Sequence, residues 1–394
     1  MRCTLALVFL SALQVAPAQT YAVGTTDVDW TNLTGVGTPV LAARVHYPAV
    51  TAGTNAPVLP QVGGWPVVVF LHGYSMLGSA YASLGDAWAR AGFVVVLSDT
   101  AQWDFVAQEH DGRALYSAVI DANSQPGVFH GALDVQRLAL AGHSMGGGIT
   151  GAVLANNPGY LCGIALAPVF PGIAVANQVI VPFGILAGTG DVITPWYLFS
   201  QPYFDAVGSQ DGLKFLYLLN GDCNHMNVAG LSTQPTPLVF DRIADIGVGF
   251  LRHFLGVDIA GLEKVVGPEA QAEPRLVSLS QQVTTPQIWA ESPLRISGRT
   301  RLSVAAEEGL GGVLAALSMG PGVFTSIGLL MLDPATAFTL AIGYTEPNTG
   351  RIDALIELPN MTALIGLPVA LQAVGVASNN PLLLGSAIML TVQP

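Results

Sequence analysis

Between residues 40 and 258, short apolar runs rich in β-branched residues alternate with longer stretches in which apolar positions recur at helical spacing. This alternation is typical of a mainly parallel sheet covered by helices. The short runs predict strands at Leu41–Tyr47, Val67–Leu71, Phe93–Ser98, Leu138–Gly142, Gly163–Ala167, Phe183–Ala187 and Leu213–Leu219. The longer stretches predict helices at Ser79–Ala91, Gly112–Asn123, Ser144–Ala155, Pro195–Val207 and Phe240–Leu255.

From Ala260 onward the helical periodicity fades, and short strand-like runs are separated by Gly, Pro and Asn turns. These runs are Val313–Leu317, Ser326–Met331, Thr339–Tyr344, Ile352–Leu358 and Ala387–Val392. The change predicts an α/β domain over residues 19–258, a linker over 259–275 and an all-β, sandwich-like module of non-catalytic function over 276–394.

The N-terminus has the pattern of a secretory signal peptide over residues 1–18. Arg2 precedes an uncharged, mostly apolar run, Leu5–Val15, which ends in the small-residue cleavage pattern Ala16-Pro17-Ala18. The run is about half the ~20 residues that a membrane anchor requires. We therefore expect a secreted protein, extracellular or periplasmic, that begins near Gln19.

Cleavage there would remove Cys3 and leave two cysteines in an oxidising compartment. Cys162 stands at the start of one predicted strand, and Cys223 stands just past the end of another. In a parallel sheet these positions lie at opposite edges, so we expect both thiols to be unpaired.

Composition narrows the class of partner. Apolar residues make up 51% of the 394 residues and charged residues only 10%, so the chain can bury large cores and is not disordered. The formal net charge is −12, and the only lysines are Lys214 and Lys264. This balance disfavours nucleic acid and anionic membrane surfaces as partners. We expect no membrane insertion, and the sequence carries no indication of an oligomeric state.

The strongest chemical signal is Gly142-His143-Ser144-Met145-Gly146, which directly follows a predicted strand and opens a helix. Strand, sharp turn and helix in this order are the context in which a G-x-S-x-G serine is exposed as a nucleophile. A serine on so tight a turn needs glycine two residues to either side. We therefore predict that Ser144 is the nucleophile.

A nucleophilic serine needs a base and an acid that orients the base, and in this architecture they follow it in the order acid, then histidine. His225 lies just past a predicted strand, whereas His253 lies inside the last predicted helix, so His225 is the predicted base. Asp191 also follows a strand end and is the predicted acid. Its rivals are Asp205, in a helical stretch, and Asp222, close to the histidine in sequence.

Two backbone amides are expected to bind the oxyanion. The first belongs to Met145, the residue after the nucleophile, and the second to Tyr74, in the loop after Val67–Leu71. Of the other nearby histidines, His72 is expected to brace that loop and His143 to point away from the nucleophile.

Four segments together resemble the α/β-hydrolase superfamily: Phe70–Tyr74, Gly142–Gly148, Gly188–Asp191 with Pro195, and Asn224-His225. Over residues 40 to 258 the chain is most similar to the branch of dienelactone hydrolases, chlorophyllases and cutinase-like polyester hydrolases. The stretch from Tyr81 to Val96 also resembles theirs. The resemblance implies an α/β-hydrolase fold and a carboxylic-ester hydrolase that forms an acyl-enzyme at Ser144.

The chain departs from these relatives at two places. Polyester hydrolases of this kind carry a tryptophan where Val169 follows Ala167-Pro168, and dienelactone hydrolases use a cysteine in place of Ser144. No cofactor or metal is expected, and the partner is a small or polymeric ester substrate. The alternatives are other acyl chemistry on the same triad (thioesterase, peptidase or acyltransferase) or a non-catalytic secreted binding or adhesion protein.

The site is expected to be an open cleft without a lid. The segment from Pro168 to Pro182, where many lipases of this fold insert a cap, is too short for an independent one. Substrate contacts are expected from Tyr74, Val169 and Trp196.

Overall fold

The computed structural model describes residues 20–156, 159–209, 212–231, 237–346, 349–377 and 380–394. The described chain forms two compact units. One comprises residues 20–255 and 264–284, and the other comprises residues 256–263 and 285–394. The predicted signal peptide, residues 1–18, lies outside the described residues.

The first unit contains ten strands and seven helices. The strands are β1 (Ala22–Thr31), β2 (Val40–Ala49), β3 (Gly53–Thr54), β4 (Trp65–Leu71), β5 (Val94–Ser98), β6 (Leu133–His143), β7 (Gly163–Leu166), β8 (Phe183–Gly188), β9 (Leu213–Leu219) and β10 (Leu276–Val283). The helices are α1 (Ala82–Arg90), α2 (Phe105–Ser124), α3 (Met145–Ala155), α4 (Ile173–Ala176), α5 (Ser200–Ala206), α6 (Pro237–Phe254) and α7 (Pro268–Gln271).

All ten strands form one sheet in the order β10-β9-β8-β7-β6-β4-β5-β2-β1-β3. The six neighbours from β9 to β5 are mutually parallel, whereas β10 pairs antiparallel with β9, and β2 pairs antiparallel with both β5 and β1. The mainly parallel sheet with helices is therefore confirmed, and each of the seven predicted strands is present.

The central strands are nearly continuous apolar runs because helices cover both faces of a parallel sheet. Their residues therefore do not need to alternate between apolar and polar. Every residue of β4 and of β9 is buried. Since the parallel strands end at one edge of the sheet, the loops after β4, β6, β8 and β9 lie where binding and catalytic residues collect.

Helix α2 begins seven residues before its predicted start at Gly112. The Asp104 carboxylate accepts hydrogen bonds from the amides of Val106 (2.9 Å) and Ala107 (3.0 Å), and so caps the first turn. Helix α5 covers only the second part of its predicted stretch, because residues 196–199 form turns in which the amides of Leu198 and Phe199 donate to the Pro195 carbonyl.

The structure differs from the predicted domain boundary at β10. Residues 259–275 were expected to be a linker and residue 276 to begin the C-terminal module, but β10 pairs with β9 from Leu276–Leu219 to Val283–Leu213 as the edge strand of the large sheet. Helix α7 also belongs to this unit, where the Tyr217 hydroxyl donates to the Ala270 carbonyl (2.7 Å). A mostly half-buried edge strand carries little periodic signal, so no strand was predicted here and the segment was assigned to the C-terminal module.

The second unit is rich in β-structure. Its strands are β11 (Gln287–Ala290), β12 (Arg299–Ala305), β13 (Leu310–Ala316), β14 (Met319–Thr325), β15 (Gly328–Leu332), β16 (Phe338–Tyr344), β17 (Arg351–Glu357), β18 (Pro368–Ala377) and β19 (Asn380–Thr391). They form sheets ordered β11-β12-β17, β16-β13-β18-β19 and β14-β15. Ile288, Leu302, Val304 and Leu371 are among its fully buried core residues. The C-terminal region is thus β-rich as predicted, and the sandwich arrangement stays a prediction.

None of the helices in the described residues is both long and apolar enough to cross a membrane.

Candidate active site

Ser144 occupies a strained turn between β6 and α3. Its backbone lies at φ 56°, ψ −117°, a region that costs free energy for a residue other than glycine. The turn can form because residues 142 and 146 are glycines. A Cβ on Gly142 would collide with the Gly146 carbonyl, and one on Gly146 with the carbonyl oxygens of Leu71 and His72. The predicted strand, turn and helix are therefore all present.

The structure brings the three predicted triad residues together. His225 Nε2 lies 3.0 Å from Ser144 Oγ, and His225 Nδ1 lies 2.8 Å from Asp191 Oδ2. All three residues are buried, and the Asp191 side chain is only 1% exposed. Because the carboxylate accepts at Nδ1, the proton of a neutral His225 is held there, and Nε2 is left free to accept from the serine hydroxyl.

Asp191 is fixed by its own loop. The amides of Ile193 and Thr194 donate to Asp191 Oδ1, each at 2.8 Å, and the Thr194 hydroxyl lies 2.8 Å from Oδ2. Burial works to raise the pKa of Asp191, but the hydrogen bonds from His225 and Thr194 outweigh it, so this pKa lies below its usual value. Asp191 is thereby kept as a carboxylate.

Thr194 was missed by the sequence reasoning, although an aspartate followed by a threonine three residues later is typical of a side-chain-capped turn. Its hydroxyl also lies 3.0 Å from the Ala167 carbonyl and 3.1 Å from His225 Nδ1. The rival acids do not reach His225 in this way: Asp205 is exposed on α5, where it accepts from Gln201, and Asp222 is exposed in the loop after β9.

The two predicted oxyanion donors lie next to Ser144. Met145 is the first residue of α3, so its amide has no acceptor inside the helix. The loop that carries Tyr74 approaches from β4, and a Cβ on Gly73 would lie 3.3 Å from Ser144 Cβ. Among the described residues, neither the Tyr74 nor the Met145 amide donates a hydrogen bond to another protein group. Both are available to a ligand.

Three other histidines, which were not predicted to act as the base, make no hydrogen bond to the Ser144 hydroxyl within the part of the chain that the structure describes. His72 lies between two backbone carbonyls, with Nδ1 2.9 Å from Gly73 O and Nε2 2.7 Å from Thr100 O. His253 packs edge-on against Phe254 in α6. His143 contacts Tyr81 and the backbone of His225, and makes no hydrogen bond with the Ser144 hydroxyl in the described residues.

The predicted substrate contacts divide into two groups. Tyr74 is 53% exposed, and Val169 is half-buried with its amide 2.9 Å from the Ser144 carbonyl. Trp196 instead packs against the core of the first unit. Trp103 was not singled out from the sequence. It is 62% exposed, and its ring stands edge-on to Tyr74 with centroids 5.2 Å apart.

Both described cysteines are free, as predicted, and both are buried. Burial raises the pKa of the Cys162 thiol, and burial together with the charge of Asp191 raises that of Cys223 to about 12. Neither thiol has the character of a nucleophile.

The PET hydrolase-like family has a sequence profile that matches residues 11–282, from the N-terminal segment through β10. The chain belongs to the PET hydrolase-like family. This membership confirms the predicted α/β-hydrolase relationship, and the end of the match coincides with the edge strand of the large sheet.

Individual relatives are consistent with this family. The chain is 26% identical to a bis(hydroxyethyl) terephthalate hydrolase of Streptomyces coelicolor over 60% of its own length and 68% of the relative's. It is 31% identical to a cutinase of Thermobifida alba over 38% of its length, and 30% identical to one of Thermobifida cellulosilytica over 37%. These alignments span only about half of each cutinase, 50% and 55%. PET hydrolase-like membership and these names confirm the predicted enzyme class, a carboxylic ester hydrolase.

Proposed function

We propose that the chain hydrolyses carboxylic esters through an acyl-enzyme on Ser144. The observation that carries the proposal is the continuous contact from Ser144 Oγ through His225 to Asp191, built on a strained turn beside two available amides. An arrangement of nucleophile, base and orienting acid within hydrogen-bond distance is what nucleophilic catalysis requires.

In the first step Ser144 Oγ attacks the ester carbonyl carbon while His225 Nε2 takes the hydroxyl proton. The carbonyl oxygen becomes an oxyanion, to which the Tyr74 and Met145 amides donate. Collapse of the tetrahedral intermediate breaks the bond to the alcohol oxygen, and His225 returns the proton to that oxygen. Asp191 stabilises the imidazolium and keeps its ring oriented.

In the second step water replaces the alcohol. His225 removes a proton from the water as its oxygen attacks the acyl carbon, and then returns the proton to Ser144 Oγ as the acid leaves. The same two amides serve both intermediates, so no further group is needed to balance charge.

The substrate is proposed to be an ester with a bulky apolar or aromatic part, small or polymeric. The names of the relatives support an ester or polyester substrate, and the exposed Tyr74 and Trp103 rings supply an aromatic surface beside the oxyanion loop. The segment from Pro168 to Pro182 holds only the four-residue helix α4, which supports an open, lidless cleft.

Ser144→Ala is expected to lower kcat on soluble esters by about 10⁴-fold or more, because the covalent route is lost. The measurement is a panel of chromogenic esters, thioesters and peptide amides, together with mass-spectrometric mapping of fluorophosphonate labelling.

His225→Ala should give a comparable loss, and His253→Gln, which alters a histidine outside the site, should leave kcat within twofold. Retention of most esterase activity by Ser144→Ala would overturn the mechanism, and a preference for thioesters or amides over esters would replace the substrate class.

We also propose that the chain is secreted, a proposal that rests on the cleavable pattern of residues 1–18.

A further inference from the structure

A fully buried histidine and tyrosine lie beside the triad and have no part in the mechanism above. His143, next to the nucleophile, is 1% exposed, and Tyr81 is 0% exposed. His143 Nδ1 lies 2.9 Å from Tyr81 Oη, and His143 Nε2 lies 2.8 Å from the backbone carbonyl oxygen of His225. The Gly73 amide donates to Tyr81 Oη at 2.8 Å.

The partners of this chain of hydrogen bonds fix the direction of each one. The His225 carbonyl can only accept, so His143 Nε2 carries the proton. In the neutral ring Nδ1 then accepts, so the Tyr81 hydroxyl donates to it, and the hydroxyl oxygen accepts from Gly73. Met76 Sδ, 3.4 Å from Tyr81 Oη, is a weaker acceptor than a ring nitrogen.

This direction requires His143 to stay neutral, and its surroundings ensure that it does. Burial, and then the nearby His225, lower the pKa of His143 to about 3. The two rings lie 4.7 Å apart between centroids, so a charged His143 would also oppose the imidazolium that forms on His225 during turnover.

The two ends of this hydrogen-bond network lie on two different loops. The reaction requires these loops to keep a fixed relative position. Gly73 directly precedes Tyr74, whose amide is the proposed oxyanion donor from the loop after β4. His225 is the proposed base in the loop after β9. Strands β6, β7 and β8 separate β4 from β9 in the sheet, so the two loops do not follow neighbouring strands.

We propose that Tyr81 and His143 are positioning residues that hold the oxyanion loop and the loop of the base at a fixed separation across Ser144. The proposal rests on the proposed function of the triad. Neither residue contacts substrate or transfers a proton in the reaction. They act by fixing where the Gly73–Tyr74 peptide and the His225 backbone lie, and a displacement of about 1 Å at such groups can lower the rate about 100-fold.

The first test is Tyr81→Phe, which removes one oxygen atom and keeps the ring that packs against Phe70. It leaves the Gly73 amide and His143 Nδ1 without a partner. We expect kcat per active site, counted by fluorophosphonate titration, to fall by about tenfold, the worth of one buried hydrogen bond, with KM within twofold.

Tyr160→Phe is the matched control. Tyr160 is also fully buried and donates its hydroxyl to a backbone carbonyl, that of Gly112 at 2.9 Å, but it lies outside the network. We expect this variant to lose thermal stability comparably and to keep kcat per titrated site within twofold. A merely structural role of Tyr81 would give the same result as Tyr160, and that outcome would overturn the proposal.

The second test compares His143→Gln with His143→Leu. The glutamine amide can still donate to the His225 carbonyl and accept from Tyr81, whereas leucine can do neither. We expect glutamine to retain at least fivefold more kcat per titrated site than leucine, and equal values would contradict the proposal. If the leucine variant does not fold, Tyr81→Phe decides alone.

The failure of this proposal can be told from a failure of the proposed function. If the unaltered protein hydrolyses no ester, the proposed function is wrong. The second-order rate at which a fluorophosphonate labels Ser144 still reports the register of base and oxyanion donors. A labelling rate in Tyr81→Phe equal to that of the unaltered protein would then overturn the positioning role.

Discussion

Trp103 is exposed, but hydrogen bonds hold its backbone beside the loop after β4 that carries Tyr74. The Ser75 amide donates to the Gln102 carbonyl (2.8 Å), and Ala101 adopts a left-handed backbone with φ 56°. His72 joins the same two loops through Thr100 O. The edge-on contact with Tyr74 is therefore supported by the backbone of both loops, and the pair can form an aromatic surface beside the loop after β4 at little entropic cost.

Trp103→Ala is expected to raise KM for bis(hydroxyethyl) terephthalate about fivefold, because one aromatic contact contributes about 1 kcal/mol. KM for triacetin, which has no ring, should change less than twofold, as measured by acid release at constant pH. Trp103→Phe should restore most of the aromatic preference. Equal effects on both substrates would remove Trp103 from the binding surface.

At the level of single residues, the sequence predicted those whose chemistry is tied to a strand end. Ser144, Asp191 and His225 could be placed because parallel strands deliver their loops to one edge and because the order of the triad is fixed. Thr194 and Trp103 could not, since each depends on which loop packs beside which. Trp196 is half-buried and packs against the core, so its predicted contact with substrate stays a prediction.

Strand β10 completes the large sheet of the first unit at the edge where β9 would otherwise be exposed. It pairs along the whole of β9, and the Arg242 side chain donates to the backbone carbonyls of Lys264 and Glu269, which join this segment to α6. The mostly apolar strand β9 with an open edge would present unpaired amides and carbonyls to solvent, which favours aggregation.

A chain that ends at the predicted boundary, residue 258, is expected to be far less stable than one that ends at residue 284. Loss of β10 and α7 should lower Tm by at least about 10 °C or make the protein insoluble, because several kcal/mol of edge pairing and burial are removed. Differential scanning calorimetry of the two purified chains makes the comparison. Equal Tm values would show that β10 contributes nothing to the stability of the first unit.

At the level of elements, apolar runs located the buried strands because burial on both faces leaves an unmistakable signal. The signal fails at sheet edges. Strand β1 has acidic residues at exposed positions, and β10 is mostly half-buried with serines and glutamines along it. Neither strand was predicted. The predicted range of helix α2 was too short for a similar reason. Its start is set by the Asp104 cap and not by an apolar face.

At the scale of the whole molecule, the buried thiols offer a way to test secretion. If residues 1–18 are removed, only Cys162 and Cys223 remain, and both are buried with raised pKa values. We expect secreted protein to show no reactive thiol when folded and two after denaturation without reductant. Three thiols, together with an intact mass that includes residues 1–18, would contradict the predicted cleavage.

The two units are interleaved along the chain, which constrains how such a protein can be recombined. The first unit is formed by residues up to Leu255 and by residues 264–284. Residues 256–263, which lie between these two segments in the sequence, belong to the β-rich unit, as do residues 285–394. Within the β-rich unit, Glu263 accepts hydrogen bonds from Trp289 (2.9 Å) and Arg301 (2.6 Å). A gene fusion at a single junction therefore has one of two costs. Either the large sheet loses its edge strand β10, or the eight residues 256–263 are separated from the β-rich unit that they contact. Exchange of the C-terminal unit requires that residues 256–263 be inherited together with residues 285–394.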